Sequence, residues 1–237
     1  MDHRVGLTKA SLYFDAVSAS DVQTLFELMR ATLRRTTDAQ GPALSRRISR
    51  RVSDMSPLPH QLLMVDSPKP FDFTCELSRS DAAQSAALAD ALVAVIETLG
   101  ERIDRRNAAV FAGREIAITA GDGSIYVIMA LRRVPSLSHE EFMFHWFDRH
   151  AALGEQVAGV RYRQDHVDLA ATRQLAQRTG LDFPAMDGLA ESYFDSLDDA
   201  IALLSHPDVA VGAIEDEKRF IHHPTSQFAL YQTIWRD

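Results

Sequence analysis

The sequence predicts an α+β protein of two tandem ferredoxin-like βαββαβ units, packed sheet to sheet. Three observations predict it. Alternating apolar runs are interleaved with runs of helical period. The order strand, helix, strand, strand, helix, strand occurs twice. The turn signal Ala120-Gly121-Asp122-Gly123 separates the copies. Each unit would carry its helices on one face of a four-stranded antiparallel sheet. The bare faces must bury themselves, so two such sheets in one chain would cover each other and enclose a barrel-like cavity. The expected domains are residues 1–120 and 121–237.

In the first half, Ala10 to Ala16 reads as a strand. Asp21 opens an amphipathic helix carrying Val22, Leu25, Phe26, Leu28 and Met29, with Ser20 as N-cap. Residues 30 to 60 hold Arg30, Arg34, Arg35, Arg46, Arg47, Arg50 and Arg51 and are broken by Gly41-Pro42. No Gly-rich loop accompanies these arginines, so they read as a solvated helix face plus a loop rather than an anion site. Strands are expected at Gln61 to Val65 and Phe71 to Leu77, around the Pro68–Pro70 turn. Ser80-Asp81 caps an Ala/Leu-rich helix reaching to about Arg106, and Arg114 to Thr119 is the last strand of this half.

In the second half, Ile125 to Arg132 is a strand. Ser138 and Glu141 have capping-box spacing at the head of a helix to Gln156. Val160 to Val167 is a strand, and 168 to 188 hold a short helix and a loop. Leu189 to Phe194 is a strand, Leu197 to Arg219 a helix interrupted at His206-Pro207, and Phe228 to Trp235 the last strand.

The net charge of −8 argues against nucleic acid as a partner. No apolar run is long enough to span a membrane, and no signal-peptide pattern opens the chain. The single cysteine, Cys75, reads as a buried thiol in a strand, consistent with a cytoplasmic protein. There is no phosphate-binding loop, dinucleotide fingerprint or nucleophile elbow. His145 and His150 are five apart, about 140° around a helix, which disfavours a shared metal ion. The expectation is therefore a protein without cofactor or metal.

Titratable groups gather in the second half, where seven of the nine histidines lie. Phe142-x-x-His145-Trp146-x-x-x-His150, then Tyr162-x-Gln164-x-His166, then Asp187-Gly188-x-Ala190-Glu191-x-x-Phe194-x-Ser196, and finally Asp216-Glu217-x-x-Phe220, together resemble the EthD family. The resemblance covers residues 124 to 237. It implies the dimeric α+β barrel fold, an association with oxidative ether degradation, and relatives acting on polyketides and aromatic compounds. The first half lacks these motifs and reads as a divergent barrel partner in the same chain, which leaves a homodimer open.

On the helix after Ser138, Phe142, Trp146, Arg149, His150 and Leu153 share one face, with His145 at its edge. His150 either meets a ligand or closes the helix end on a carbonyl. His145 reads as structural or exposed, and Trp146 as core or as a ligand-stacking ring. Tyr162, Gln164 and His166 share one face of their strand, opposite Arg161, Arg163, Asp165 and Val167. That first row either lines a polar cavity or lies wet at a sheet end. Asp187, Leu189, Glu191 and Tyr193 share a face. Glu191 there either orients a histidine or pairs with an arginine.

The expected function is binding of a small aromatic or polycyclic metabolite between the sheets, with cofactor-free acid/base chemistry of lyase, cyclase, dehydratase or isomerase type. His150, His166, Tyr162 and Glu191 are the expected catalytic residues; Trp146, Gln164, His145 and Tyr193 are expected to touch substrate. The alternatives are a monooxygenase or its accessory protein in catabolism, and a non-enzymatic carrier of a hydrophobic metabolite.

Overall fold

The computed structural model describes residues 6–18, 21–37, 44–54, 56, 58, 68–80, 85–156, 159–182 and 186–237. Among them, eight strands close into one antiparallel barrel. β1 (Gly6–Ala16), β2 (Leu44–Arg51), β3 (Phe73–Arg79) and β4 (Ile103–Ala117) come from the first half. β5 (Ile125–Leu131), β6 (Tyr162–Val167), β7 (Gly188–Phe194) and β8 (Gln227–Arg236) come from the second. The order around the barrel is β1-β3-β2-β8-β5-β7-β6-β4, and β4 pairs back onto β1. The halves are stitched edge to edge at two seams, β2–β8 and β4–β6. Closure pairs both edges of every strand in the barrel, which removes the exposed ladder groups an open sheet would present.

The helices pack on the outside. α1 (Val22–Thr37) and α2 (Ser85–Leu99) bury Leu25, Met29, Leu33, Leu88, Leu92 and Val95 against Leu12, Phe14, Ile48, Cys75 and Val110. Burying one such side chain contributes about 1.5–3 kcal/mol, so this layer is a large share of the stability. α5 (Leu169–Thr179) joins the same cluster through Leu175 and Ala176, with Asp168 as its N-cap. α3 (His139–Met143) runs on as a π-helical stretch, Phe144–His150, and then as α4 (Ala151–Gln156). Its N-terminus carries the expected capping box between Ser138 and Glu141. α6 (Leu197–Leu204) covers Ile125, Val127, Phe228 and Leu230. The short α7 (Ile214–Glu217) precedes Phe220, which packs on Phe142 and Leu131.

Several expectations change. The Arg-rich segment divides: Arg30, Arg34 and Arg35 lie on helix α1 as expected, whereas Arg46, Arg47, Arg50 and Arg51 belong to β2, a strand of sequence LSRRISRR, and not to a loop. The strand expected at Gln61 to Val65 lies outside the described residues, as do Ser20, Gly41-Pro42 and Asp81. The second helix stops at Leu99 rather than Arg106, where Gly100 adopts φ 55° and a single 3-10 turn leads into the long β4. Cys75 is buried as expected, and burial pushes its thiol well up, away from the reactive thiolate.

Candidate functional site

Strand alternation decides what faces the barrel interior. From β2 come Ser45 and Arg47, from β3 Glu76 and Ser78, from β1 Lys9 and Tyr13, and from β4 Phe111 and Glu115. The second half adds Tyr126, Ile128, Arg163, Asp165, Leu189, Glu191 and Tyr193. One end of the interior is apolar and aromatic. The other is built from charges.

Lys9, 4% exposed, is the hub of the charged end. Its Nζ lies 2.6 Å from Glu191 Oε1, 2.7 Å from Asp165 Oδ2, 2.8 Å from Glu76 Oε2 and 3.1 Å from Glu115 Oε2. Arg47 adds a second bridge. Its Nη2 donates to Glu76 Oε2 at 2.5 Å and to Glu191 Oε2 at 2.9 Å, and its Nη1 donates to Tyr193 Oη at 2.5 Å. Tyr193 Oη donates to Glu191 Oε2, and Tyr126 Oη to Glu76 Oε1 at 2.7 Å. The Arg47 guanidinium sits 4.1 Å from the centre of the Tyr126 ring, which stacks on Tyr193. At the rim, Arg163 Nη1 donates to Glu115 Oε1 at 3.1 Å.

Four buried carboxyl groups thus face the cations of Lys9, Arg47 and Arg163. A buried excess of one negative charge is costly and is relieved by binding a proton. Of the four, Asp165 is the carboxyl whose surroundings most favour the protonated form. Burial pushes its carboxyl well above the usual range; Lys9 pulls it down, but Glu191 and Glu115 push it up further. Burial also disfavours ionised Glu76, yet Arg47 and Lys9 outweigh it and hold that carboxyl well below the usual range. Glu115 is lowered in the same way by Lys9 and Arg163.

Asp165 is also the least satisfied of the four. Lys9 stands at ion-pair distance without the geometry of a hydrogen bond, and among the described residues neither carboxyl oxygen has a hydrogen-bond partner. Tyr13 Oη, equally buried, has none either. Native interiors rarely leave such groups orphaned, and a functional role is one of the standard reasons. Asp165 borders a narrow pocket with Lys9, Ser11, Phe111, His166, Val167 and Leu189. Tyr13 borders a second narrow pocket at the aromatic end with Phe71, Phe111, Ile128, Leu189 and Tyr231.

The residues expected from sequence fall in three places. Glu191 and Tyr193 face the interior, where Glu191 pairs with Lys9 and Arg47 instead of orienting a histidine. Of Tyr162, Gln164 and His166, only His166 borders a pocket, the one beside Asp165, and the three side chains lie on the other face of β6 from Asp165. They face outward under the π-helical stretch, because Arg163 and Asp165 take the inward positions of β6. There Trp146 Nε1 donates to Tyr162 Oη at 2.9 Å, Gln164 Nε2 donates to the same oxygen at 3.0 Å, and His166 Nε2 lies 3.0 Å from Gln164 Oε1. His166 is packed edge-on against Phe147. Burial, then Arg114 and His139, lower its pKa to about 4, so it is neutral near pH 7. The Gln164 oxygen can only accept, so Nε2 carries the proton. Trp146 is 1% exposed and is core.

His145 and His150 sit at the third place, around Phe220. His145 stacks on that ring, and His150 meets its edge while pairing through Nδ1 with Asp216 Oδ2 at 2.9 Å. His150 therefore closes its helix on a carboxylate rather than a backbone carbonyl. Among the described residues no group of three or more His, Cys, Asp or Glu is arranged to hold a metal ion.

Sequence reasoning missed Lys9, Tyr13, Arg47, Glu76, Glu115, Tyr126 and Asp165. One signal was available. The chain has three lysines, and Lys9 alone falls in a strand, close before the apolar run Leu12-Tyr13-Phe14.

Residues 134–224 match the EthD domain family. No curated protein sequence matches the chain. Among solved structures, the chain is similar to an anthrone oxidase-like protein, with TM-score 0.59, 11% identity, and 99% of this chain and 94% of that one covered. It is similar to a dye-decolorizing peroxidase from Bacteroides thetaiotaomicron, with TM-score 0.54, 10% identity, and coverage of 98% and 94%. It is also similar to a mutant chlorite dismutase from Candidatus Nitrospira defluvii, with TM-score 0.51, 9% identity, and coverage of 98% and 93%. These likenesses establish a mixed α+β fold built on an eight-stranded antiparallel barrel. Among the described residues no helix is long and apolar enough to cross a membrane.

Proposed function

We propose that the protein is an enzyme that performs acid/base chemistry on a small, uncharged aromatic compound inside the barrel, with Asp165 as the proton-transferring group. The observation that carries this reading is the buried Asp165 carboxyl, which has no hydrogen-bond partner among the described residues and lies 2.7 Å from Lys9 Nζ. The ring of the substrate enters the aromatic end, and an oxygen substituent reaches inward. Tyr13 donates a hydrogen bond to that oxygen. Asp165 gives its proton to the oxygen; the O–H bond of the acid breaks as the substrate O–H bond forms. The resulting carboxylate, stabilised by Lys9, takes a proton from the adjacent carbon. The sum is a keto–enol shift, the proton-transfer core shared by isomerases, cyclases and dehydratases. General acid/base catalysis of this kind is worth about 10²–10⁴-fold. Glu191 and Tyr193 keep a place as the groups that fix Lys9 and Arg47. The histidines at 145, 150 and 166 are assigned to packing.

The test is exchange of the methyl protons of acetophenone in D₂O, followed by NMR. Wild type is expected to accelerate exchange over buffer, and Asp165→Asn to lose that acceleration while still binding the ketone. Equal rates for the two proteins would overturn the assignment. Oxygen uptake in the same samples would point instead to the oxidoreductase reading, to which the names of the oxidase-like and peroxidase relatives lend their support. Binding without either activity would make the protein a carrier.

We also propose that residues 1–120 and 121–237 are two ferredoxin-like units. The support is that each half contributes its strands in the spatial order fourth, first, third, second.

A further inference from the structure

At the charged end of the barrel, four cations, Lys9, Arg47, Arg163 and Arg236, meet three carboxylates, Glu76, Glu115 and Asp122. Glu76 is held from inside by Lys9 and Arg47, and Glu115 by Lys9 and Arg163. Arg236 stands directly opposite Arg47 in the β2–β8 ladder. Like charges so placed repel, and the strand pair needs a counter-charge. Asp122, between β4 and β5, supplies it. Its Oδ2 takes both an ion pair with Arg236 Nη1 and a hydrogen bond donated by Arg163 Nη2 at 3.2 Å. Its Oδ1 is spent on the neighbouring Gly123 amide at 2.8 Å. Two guanidinium groups thus share one oxygen. The backbone here is held without that carboxylate. Arg161 Nη1 donates to the Asp122 carbonyl, and Arg163 Nη2 to the Gly121 carbonyl at 2.8 Å. Gly121 takes φ 127°, and a side chain at Gly123 would collide with the Phe194 carbonyl. The Asp122 side chain, 24% exposed, can therefore turn out to water by rotating about its own bonds.

We propose that Arg163 and Arg236 form a binding seat for a small monocarboxylate, and that Asp122 is its built-in occupant. A free carboxylate is the better fit. It offers one oxygen to each guanidinium, where Asp122 offers a single oxygen to both. The exchange is one negative charge for another, so Arg47 and Arg236 keep their counter-charge. The ligand takes the space that the Asp122 carboxylate leaves, so the narrow opening is wide enough. From the seat, Arg163 Nη1 reaches Glu115, and Glu115 reaches Lys9. The seat is separate from the group proposed to exchange protons and does not depend on it.

The experiment is titration of isotope-labelled acetate, followed by carbon NMR at constant ionic strength, into wild type and three variants. Asp122→Asn keeps an acceptor for the Gly123 amide but gives up the competing charge. It should bind acetate at least about tenfold more tightly than wild type does, the scale of a charge-assisted hydrogen bond. Adding Arg236→Gln to Asp122→Asn should remove most of that gain. Asp195→Asn is the control: Asp195 is exposed and pairs with Arg161 at 2.7 Å, so the net charge changes equally while Arg163 and Arg236 are untouched. It should bind acetate as wild type does. An equal concentration of chloride should displace little acetate, because a single ion does not divide between two guanidinium groups as two oxygens do. Asp122→Ser carries the test should Asp122→Asn fail to fold, as judged by near-UV circular dichroism. No gain on removing the Asp122 charge, an equal gain in Asp195→Asn, a gain that survives Arg236→Gln, or full displacement by chloride would overturn the seat. The readout is acetate binding alone, so loss of ketone exchange in Asp165→Asn tests the other proposal separately.

Discussion

Lys9 Nζ stands 2.7 Å from Asp165 Oδ2 in the middle of the barrel, yet the two do not behave as a simple ion pair. Lys9 is shared among four carboxyl groups, and its pKa is raised well above the ordinary value: burial lowers it, but Asp165, Glu191, Glu76 and Glu115 together outweigh burial. Removing that cation should be severe. Breaking a buried pair by deleting one partner costs about 3–5 kcal/mol, because uncompensated charge stays behind. Lys9→Met is expected to lose about that much by urea denaturation at pH 7, and adding Glu191→Gln should recover part of it. A loss below about 1 kcal/mol would show that the cluster does not hold together through Lys9.

Asp165 gives a pH dependence with a definite sign. Its folded pKa lies above its unfolded value, through burial and then Glu191 and Glu115. The folded chain therefore holds the proton longer than the unfolded chain. The favourable contribution is full below the unfolded carboxyl value of about 3.9 and is lost as pH rises through the folded pKa. Asn mimics the neutral acid. Asp165→Asn should gain stability relative to wild type as pH rises, with the gap closing in acid. Exchange activity of wild type should fall on the alkaline side over the same window. Parallel stability curves for the two proteins would contradict a protonated Asp165.

Much of the barrel was legible because its outer faces follow ordinary rules. Leu12, Phe14, Leu25, Met29 and Leu88 show the periods of strand and helix, and Ser138 with Glu141 announces its cap. The interior was hard to read because it reverses the usual inference from polarity to exposure. Arg47 and Ser45 alternate with Leu44, Arg46 and Ile48 on β2, so a strand with a polar inward face looked like a solvated segment. On β6 the alternation was read correctly into two rows. Sequence does not say which row a helix will cover, and Tyr162-x-Gln164-x-His166 resembled a cavity wall more than Arg163-x-Asp165 did. The partner that makes Asp165 tolerable inside, Lys9, is more than a hundred residues away in the other half, as is Arg47, which pairs with the neighbouring Glu191. Only the closed ladder order brings them together.

His166 supplies a second pH dependence of opposite sense. Its folded pKa of about 4 lies below the unfolded value, with burial as the main cause. For an imidazole held neutral, stability is intact above the unfolded value of about 6.5 and is lost as pH falls toward 4, where the unfolded chain protonates first. A shift of this size corresponds to about 3 kcal/mol across that window. His166→Gln should flatten the acid limb of the stability profile and leave acetophenone exchange unchanged. A large loss of exchange in that variant would return the histidine to the catalytic site.

Tyr13 and Tyr162 make opposed predictions, although both are buried phenols. Tyr162 Oη accepts from Trp146 Nε1 and from Gln164 Nε2. Tyr162→Phe leaves a buried indole N–H without its acceptor, and such an orphan costs about 1–3 kcal/mol. Exchange activity should survive, because that oxygen faces the helix and not the interior. Tyr13 Oη has no partner to lose among the described residues. Tyr13→Phe should therefore be neutral or slightly stabilising. Activity should nonetheless drop, because the hydroxyl is the group offered to the substrate oxygen at the aromatic end. Paired melts and exchange rates on the two variants test both halves of the contrast. A destabilised but active Tyr13→Phe, or a stable but inactive Tyr162→Phe, would move the site from the barrel interior to the helix-covered face of β6.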